Sequence, residues 1–421
     1  AYTVSGTTLS FGSGNAPASG AVIEVVTHSS NLTATNIADL TINIPEMIGG
    51  LPVTVIGYQA FSGKAITSVQ IPDSVVEIRS YAFYENDITS VEIPSSVVSI
   101  GNHAFESNLL SDLALFDGLE IIGDYAFSEN SIYLLDIPNT VTYVGREAFF
   151  QNNIQDLTLG NSVVTIGEEA FSENLIDIVI IPDSVRTIGE EAFFHNMVTS
   201  LDLGEGVTVI GGQAFSGAIL GDVVIPDSVE TIGPLAFEFC GIVTLTVGSG
   251  VTLMENSAFA NNPLTSLTLS EGMTHIGQMA FVSSMLQEVV IPNSVTTIGG
   301  EAFAYSVIET VTIGSGVTEM GTYAFAFNPI NTLYLTEGMT EIGSAAFAYA
   351  NLNELIIPNS VTRIGYSAFE GASIEVLTIG SGVTEMGQYA FINNPLVTLN
   401  LTEGMTHIGS AAFAFSMLNE V

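Results

Sequence analysis

Basic residues are nearly absent from this chain: five Lys and Arg stand against 44 Asp and Glu, a formal net charge of -39. A field of that sign repels nucleic-acid phosphates and anionic membrane surfaces, which makes both poor candidates for direct partners. Lys64, Arg79, Arg146, Arg186 and Arg363 are scattered along the sequence and form no patch. Cysteine is nearly absent too. Cys240 stands alone, so there is no disulfide framework, zinc cluster or internal redox pair. No segment approaches the ~20 continuous apolar residues of a membrane span. The opening AYTVSGTTLSFGSG has no basic stretch followed by an apolar one, so it is not a signal peptide, although it is compatible with following a removed one. The five histidines, His28, His103, His195, His275 and His407, fall in different repeats, and no H-E-x-x-H, G-x-S-x-G or P-loop pattern occurs. Catalysis therefore has no candidate residues, and the chain reads as non-enzymatic.

What the chain does have is an Ala-Phe pair that recurs seventeen times at an interval of 22 residues, from Phe61 to Phe413, with no insertion. A fixed period in the twenties marks a solenoid, in which each coil buries its apolar side only against its neighbours. In the coil ITSVQIPDSVVEIRSYAF, from Ile66 to Phe83, Ile66, Val69 and Ile71 have the spacing of a short strand, with Val69 and Ile71 facing inward. Pro72 lacks the amide donor a ladder needs and ends it, and Asp73 and Ser74 supply turn chemistry. Val75 and Ile78 point inward on the opposite side. A glycine four residues before the Phe, as at Gly101, Gly123, Gly145 and Gly167, predicts a corner with unusual dihedral angles. Phe61, Phe83, Phe105, Phe127, Phe149, Phe171 and Phe193 begin a predicted spine of stacked rings. Three residues beyond each Phe, Asn86, Asn108, Asn130 and their successors predict an inward asparagine ladder that satisfies turn backbone. Cys240 occupies that column and reads as a small buried substitute for asparagine.

The pattern seen as ITSVEIPSSVVSIGNHAFESN from Ile88 and as LNELIIPNSVTRIGYSAFEGA from Leu352 resembles the BspA-like bacterial leucine-rich repeats. The resemblance covers residues 51–421 and implies a leucine-rich-repeat solenoid of seventeen coils, with a parallel β-sheet on one face and short strands and turns on the other. The segment IPEMIGGLPVTVIGYQAF, from Ile44, is similar to the entry into the first repeat in that family, so residues 1–50 are expected to cap the array. The resemblance also implies a bacterial protein that is secreted or on the cell surface, with repeats that mediate adhesion or other protein contacts. It brings no catalytic residues. From about residue 225 the coil starts cycle as IPDSV, VGSGV and LSEGM, then IPNSV, IGSGV and LTEGM twice, a cassette of 66 residues. The last copy breaks off at Val421 within an expected strand, which reads as a cut inside a repeat of a longer chain.

Three readings of function follow. The first is a protein or surface ligand held on the outward strand positions, among them Asp112, Asp156, Asp222, Thr244, Glu288, Thr310, Thr332 and Glu354. The second is a structural spacer or filament-forming stalk, favoured by the copied cassettes. The third is the recognition region of a larger secreted protein. No cofactor is expected; calcium is the single candidate to weigh, at Asp124, Glu147, Glu168, Glu169, Glu190 and Glu191. Calcium wants 6–8 converging oxygens, and no EF-hand signature is present, so loosely held counter-ions are expected there instead. A column of threonines from Thr252 to Thr406 and a switch from Glu85, Glu129 and Glu173 to Phe239, Tyr305, Phe327, Tyr349 and Phe415 complete the surface strips. For these, strand propensity and packing against the next coil are the expected explanations.

Overall fold

The computed structural model describes residues 40–418 and the backbone of residues 2–5, 8–11 and 21–23. His28 lies outside the described residues, as does most of the expected cap. The chain forms two compact units, residues 1–207 and 208–421. Each is a stack of parallel β-coils, seven Ala-Phe coils in the first and ten in the second, and no helix occurs among the described residues.

Two ladders run through each stack. On one side lie strands of three to five residues, such as Ile66–Gln70, Asp112–Ala114 and Glu288–Val290. On the other lie strands of only two residues, in exact parallel register through Ile78, Ile100, Ile122, Val144, Ile166 and Ile188. In the second unit the same column reads Ile210, Ile232, Met254, Ile276, Ile298 and Met320. These two-residue strands pair without a break over more coils than the longer strands do. In the second unit the longer strands divide into sheets of three: Asp222–Ile225, Thr244–Val247 and Ser266–Leu269; then Glu288–Val290, Thr310–Thr312 and Thr332–Tyr334; then Glu354–Ile356, Val376–Thr378 and Thr398–Asn400. Each sheet is one 66-residue cassette. The ladder opens after the third coil, where the inward Leu267, Leu269, Leu333 and Leu335 are only half-buried.

The phenylalanines stack face to face. Within each unit, consecutive ring centroids lie 5.0–5.8 Å apart, as in Phe83 and Phe105 at 5.0 Å or Phe259 and Phe281 at 5.8 Å, with nearly parallel planes. The paired alanines are fully buried, and the backbone closes around them: the Phe83 amide donates to the Ala104 carbonyl at 2.8 Å, and this bond recurs from coil to coil.

The corner glycines differ from expectation. Gly101, Gly145, Gly167 and Gly189 do not have positive φ. A Cβ on Gly101 would lie 2.5 Å from the Ser80 nitrogen, and one on Gly189 2.5 Å from the Glu168 nitrogen. Glycine is needed there because adjacent backbones approach too closely for any side chain. Nothing in the structure explains how Arg79 and Glu255 occupy the same place. The left-handed residues are elsewhere, two residues before and two after each Phe, and most are not glycine: Tyr81 and Glu85, Tyr125 and Glu129, Glu169 and Glu173, Tyr323 and Phe327. Each such residue costs of order 1 kcal/mol, so the coil-to-coil bonds of the corner must hold it in place.

The asparagines complete those corners. Asn130 donates through Nδ2 to the carbonyls of Phe105, Phe127 and Ser128 at 3.0–3.1 Å and accepts the Leu110 amide on Oδ1 at 3.0 Å. One side chain thus ties its own coil to the one before. Where the column holds another residue the corner changes. The Leu220 amide donates directly to the Cys240 carbonyl at 2.7 Å, and Leu352 does the same to Ala372 at 2.8 Å. The Cys240 thiol is fully buried and donates to the Phe215 carbonyl at 3.1 Å. Burial pushes its pKa up to about 12, so it stays protonated and unreactive at neutral pH.

These contacts set two expected outcomes in denaturant unfolding. Gly167→Ala should destabilise the chain by about 1–3 kcal/mol through overpacking, while Glu129→Gly, which relieves a left-handed residue, should be neutral or stabilising; the reverse order would contradict the close-approach account. Asn130→Ala strands buried carbonyls and an amide and should cost about 2–4 kcal/mol, more than Asn130→Asp.

Candidate binding face and the columns around it

Along the longer strands the side chains alternate. Asp112, Asp156, Asp222, Glu288 and Glu354 point outward and are exposed, Thr244, Thr310 and Thr332 are partly so, and the residues between them, such as Val223, Val289 and Leu355, are buried. The outward positions of each unit therefore line one open face, which a period of two on parallel strands dictates. Exposed aliphatic side chains break into it: Leu134, Ile178 and Ile180 in the first unit, Val224, Val290 and Ile356 in the second. Leu134 and Ile178 share the outward column of Asp112 and Asp156, whereas Ile180, Val224, Val290 and Ile356 belong to a second outward column, two residues further along each strand, that the sequence pattern did not single out.

The acidic corner residues do not converge. Arg146 bridges Glu147 at 3.1 Å and Glu168 at 3.2 Å, with Glu169 at 3.9 Å. Asp124 accepts the Arg146 amide at 3.0 Å, and Tyr125 donates its hydroxyl to Glu147 at 2.7 Å. Glu190 is exposed and Glu191 half-buried. Among the described residues no three His, Cys, Asp or Glu side chains are placed to hold a metal ion. Burial first, then the charges of Glu147 and Glu191, hold Glu169 above the usual carboxylate range; burial, then Glu190 and Glu168, do the same to Glu191.

The threonine column serves the fold. Thr274, Thr296, Thr340, Thr362 and Thr406 each donate Oγ1 to the carbonyl of the threonine one coil earlier, at 2.9–3.2 Å. Hydroxyl protons committed in this way are not free to bind a flat surface. The aromatic column stacks on itself. Tyr305 and Phe327 are 4.7 Å apart, and Phe327 and Tyr349 5.1 Å, with planes within 16°. Gly371 lies over the Tyr349 ring, where a Cβ would come within 3.2 Å. These three rings cover part of one another's faces, whereas Phe239 and Phe415 of the same column are exposed. In the first unit, His103 is sandwiched between Tyr81 and Tyr125 at 4.4 and 4.6 Å, with Nδ1 2.5 Å from Glu106 Oε2.

Shallow depressions lie along the strand ends of the first unit. The larger described one, about 520 Å³, is lined by Phe116, Asp117, Asp136, Asn139 and Asn161 among others. Phe116 stands where the coils on either side carry Pro94 and Pro138, and it is exposed.

The sequence matches the BspA type leucine rich repeat region (6 copies) over residues 39–152, 120–240, 210–331 and 321–421. The chain belongs to that family. Among solved structures, BspA-type coils of this chain are similar to a leucine-rich repeat protein from Bacteroides ovatus, at 22% identity over 90% of this chain and 86% of that one, TM-score 0.47. A leucine rich cell surface protein from Faecalibacterium prausnitzii is 26% identical over 90% and 91%, TM-score 0.33. The pneumococcal vaccine antigen PcpA is 17% identical over 100% and 97%, TM-score 0.40. No curated protein matches. No helix among the described residues is long and apolar enough to cross a membrane.

The raised carboxyls give a signed pH dependence. A carboxyl held above its unfolded value of about 4.3 destabilises the fold increasingly as pH rises through that range, and contributes nothing below it. Glu169→Gln should therefore melt higher than the unchanged chain at pH 7, and the difference should vanish near pH 3. A difference that grows toward acid would reverse the assignment.

Proposed function

We propose that the coils form a non-enzymatic adhesion or protein-contact module that works outside the bacterial cell and binds through its strand face. The observation that carries this reading is the open ladder of outward side chains at Asp112, Asp156, Asp222, Thr244, Glu288, Thr310, Thr332 and Glu354, uncovered by any other described element and interrupted by exposed aliphatic residues. Family membership supports it, since leucine-rich repeats serve as contact scaffolds. The partner is a protein or a surface ligand; the net charge of -39 disfavours nucleic acid and anionic membrane. Residues 1–50 act as the cap that shields the apolar flank of the first coil.

A second reading is a spacer. It is supported by the coincidence of the 66-residue cassette with a three-strand sheet, which makes the cassette a unit that can be copied without opening a ladder elsewhere.

Two experiments separate the readings. Replacing Asp112, Asp156, Thr244 and Thr310 together by arginine should remove most capture of extracellular proteins by the immobilised chain, with the melting temperature little changed; undiminished capture would overturn the strand-face reading. Deleting residues 291–356, one cassette, should shorten the chain and retain folding. Capture that survives at full strength favours the spacer, whereas capture that falls in step with the lost coils favours the binding face.

A further inference from the structure

Three outward pairs on the second unit stand apart from the rest of its strand face. Asp222 with Val224, Glu288 with Val290, and Glu354 with Ile356 each combine a carboxylate and, two residues along the same strand, an exposed aliphatic side chain. The two positions of a pair lie about 6.6 Å apart on one face. Val224, Val290 and Ile356 are 67%, 55% and 62% exposed, in a unit whose inward valines and isoleucines are almost wholly buried. The pairs are 66 residues apart, and each occupies the first strand of a three-strand sheet. At strand spacing, three coils put successive pairs about 14–15 Å apart. Between them the outward residues are mostly small and neutral, as at Thr244 and Thr246, Ser266 and Thr268, and Thr310 and Thr312.

The charge of the pairs is open. Asp222 accepts the Thr244 hydroxyl, but the carboxylates of Glu288 and Glu354 have no hydrogen bond or ion pair among the described residues. Nor does any Lys or Arg lie on this face, since the unit's only one, Arg363, is on the two-residue ladder between Glu341 and Glu385, where His275 and His407 lie as well. Carboxylates left without cations beside exposed aliphatic groups complement a ligand that supplies both a cation and an apolar stem, and the lysine and arginine side chains do so. A second copy of this chain would bring like charge and be repelled.

We infer that the strand face of residues 222–356 holds an extended basic polypeptide, whose lysine or arginine side chains meet the three carboxylate and aliphatic pairs in register. This rests on the strand-face reading above and names its partner by chemistry. Three weak contacts at a matched interval act together, so affinity depends on spacing as well as on total charge.

The test uses the full chain and two synthetic peptides of identical composition, each with three lysines, three valines and neutral threonine and serine spacers. In one, a lysine recurs every fourth residue with a valine two residues after it, so that successive lysines lie about 13 Å apart on one face when extended; in the other the three lysines are adjacent. The spaced peptide is expected to bind at least about tenfold more tightly. Asp222→Asn, Glu288→Gln and Glu354→Gln combined should erase that preference, as should Val224→Ser, Val290→Ser and Ile356→Ser combined. Glu301→Gln, Glu319→Gln and Glu385→Gln, which remove the same charge away from this face, should leave it intact. Equal binding of the two peptides, or equal loss from both sets of charge changes, overturns the inference. Capture of extracellular proteins followed on the arginine-substituted chain distinguishes the failures. Capture lost there with peptides indifferent removes only the basic-peptide partner, and capture retained removes the strand face as well.

Discussion

Every feature of the fold depends on one constraint, that each coil must hydrogen-bond to the next around nearly its whole perimeter. The bonds recur at every side of the coil: Val98 to the Val76 carbonyl at 2.8 Å, Gly101 to Ile78 at 2.7 Å, Phe105 to Ala126 at 2.8 Å. Backbones held that closely leave no room at the corner for a Cβ, hence glycine. They leave room for only a methyl beside the ring, hence alanine. They also orient successive phenylalanines so that stacking is the one arrangement open to them. Residues in the left-handed region are tolerated because both their flanks are pinned to neighbouring coils.

Much of this was legible in the sequence, and the limits of legibility are physical. The Phe and Asn columns announce themselves because burial and a full set of hydrogen bonds admit few residue types. The glycine column was visible, but its cause was misread: close approach and positive φ both select glycine, and sequence alone cannot separate them. The left-handed positions on either side of the Phe were invisible, because Tyr, Glu, Ser, Gln, Leu and Met all occur there. Backbone bonds impose that conformation without demanding a particular side chain. The division of the longer strands into sheets of three was legible only as a sequence cassette. Its structural counterpart arises where half-buried leucines replace the closely packed residues of neighbouring coils.

The surface strips sort by what their polar groups already do. Threonine hydroxyls and the corner carboxylates around Arg146 are engaged with neighbouring coils, and Tyr305, Phe327 and Tyr349 stack on one another. The strand face differs: several of its carboxylates and aliphatic groups have no internal role. Sequence reading located that face through alternation but listed only its first outward column, because the second, holding Val224, Val290 and Ile356, reads in sequence as ordinary strand core.

The asparagine corners give the stack a direction. Asn86 stands at the end of its coil, yet it closes the Phe61 carbonyl and the Lys64 and Ile66 amides on its N-terminal side. Each coil followed by such an asparagine is thus finished by a side chain that arrives one turn later in the chain. Peeling coils from the C-terminal end under tension strips that closing group from the coil left behind and weakens the next step. Peeling from the N-terminal end removes coils whose successors keep their own closing asparagines. Pulled from its two ends, the same stack would yield along different force profiles, a mechanical polarity written into a short amide side chain.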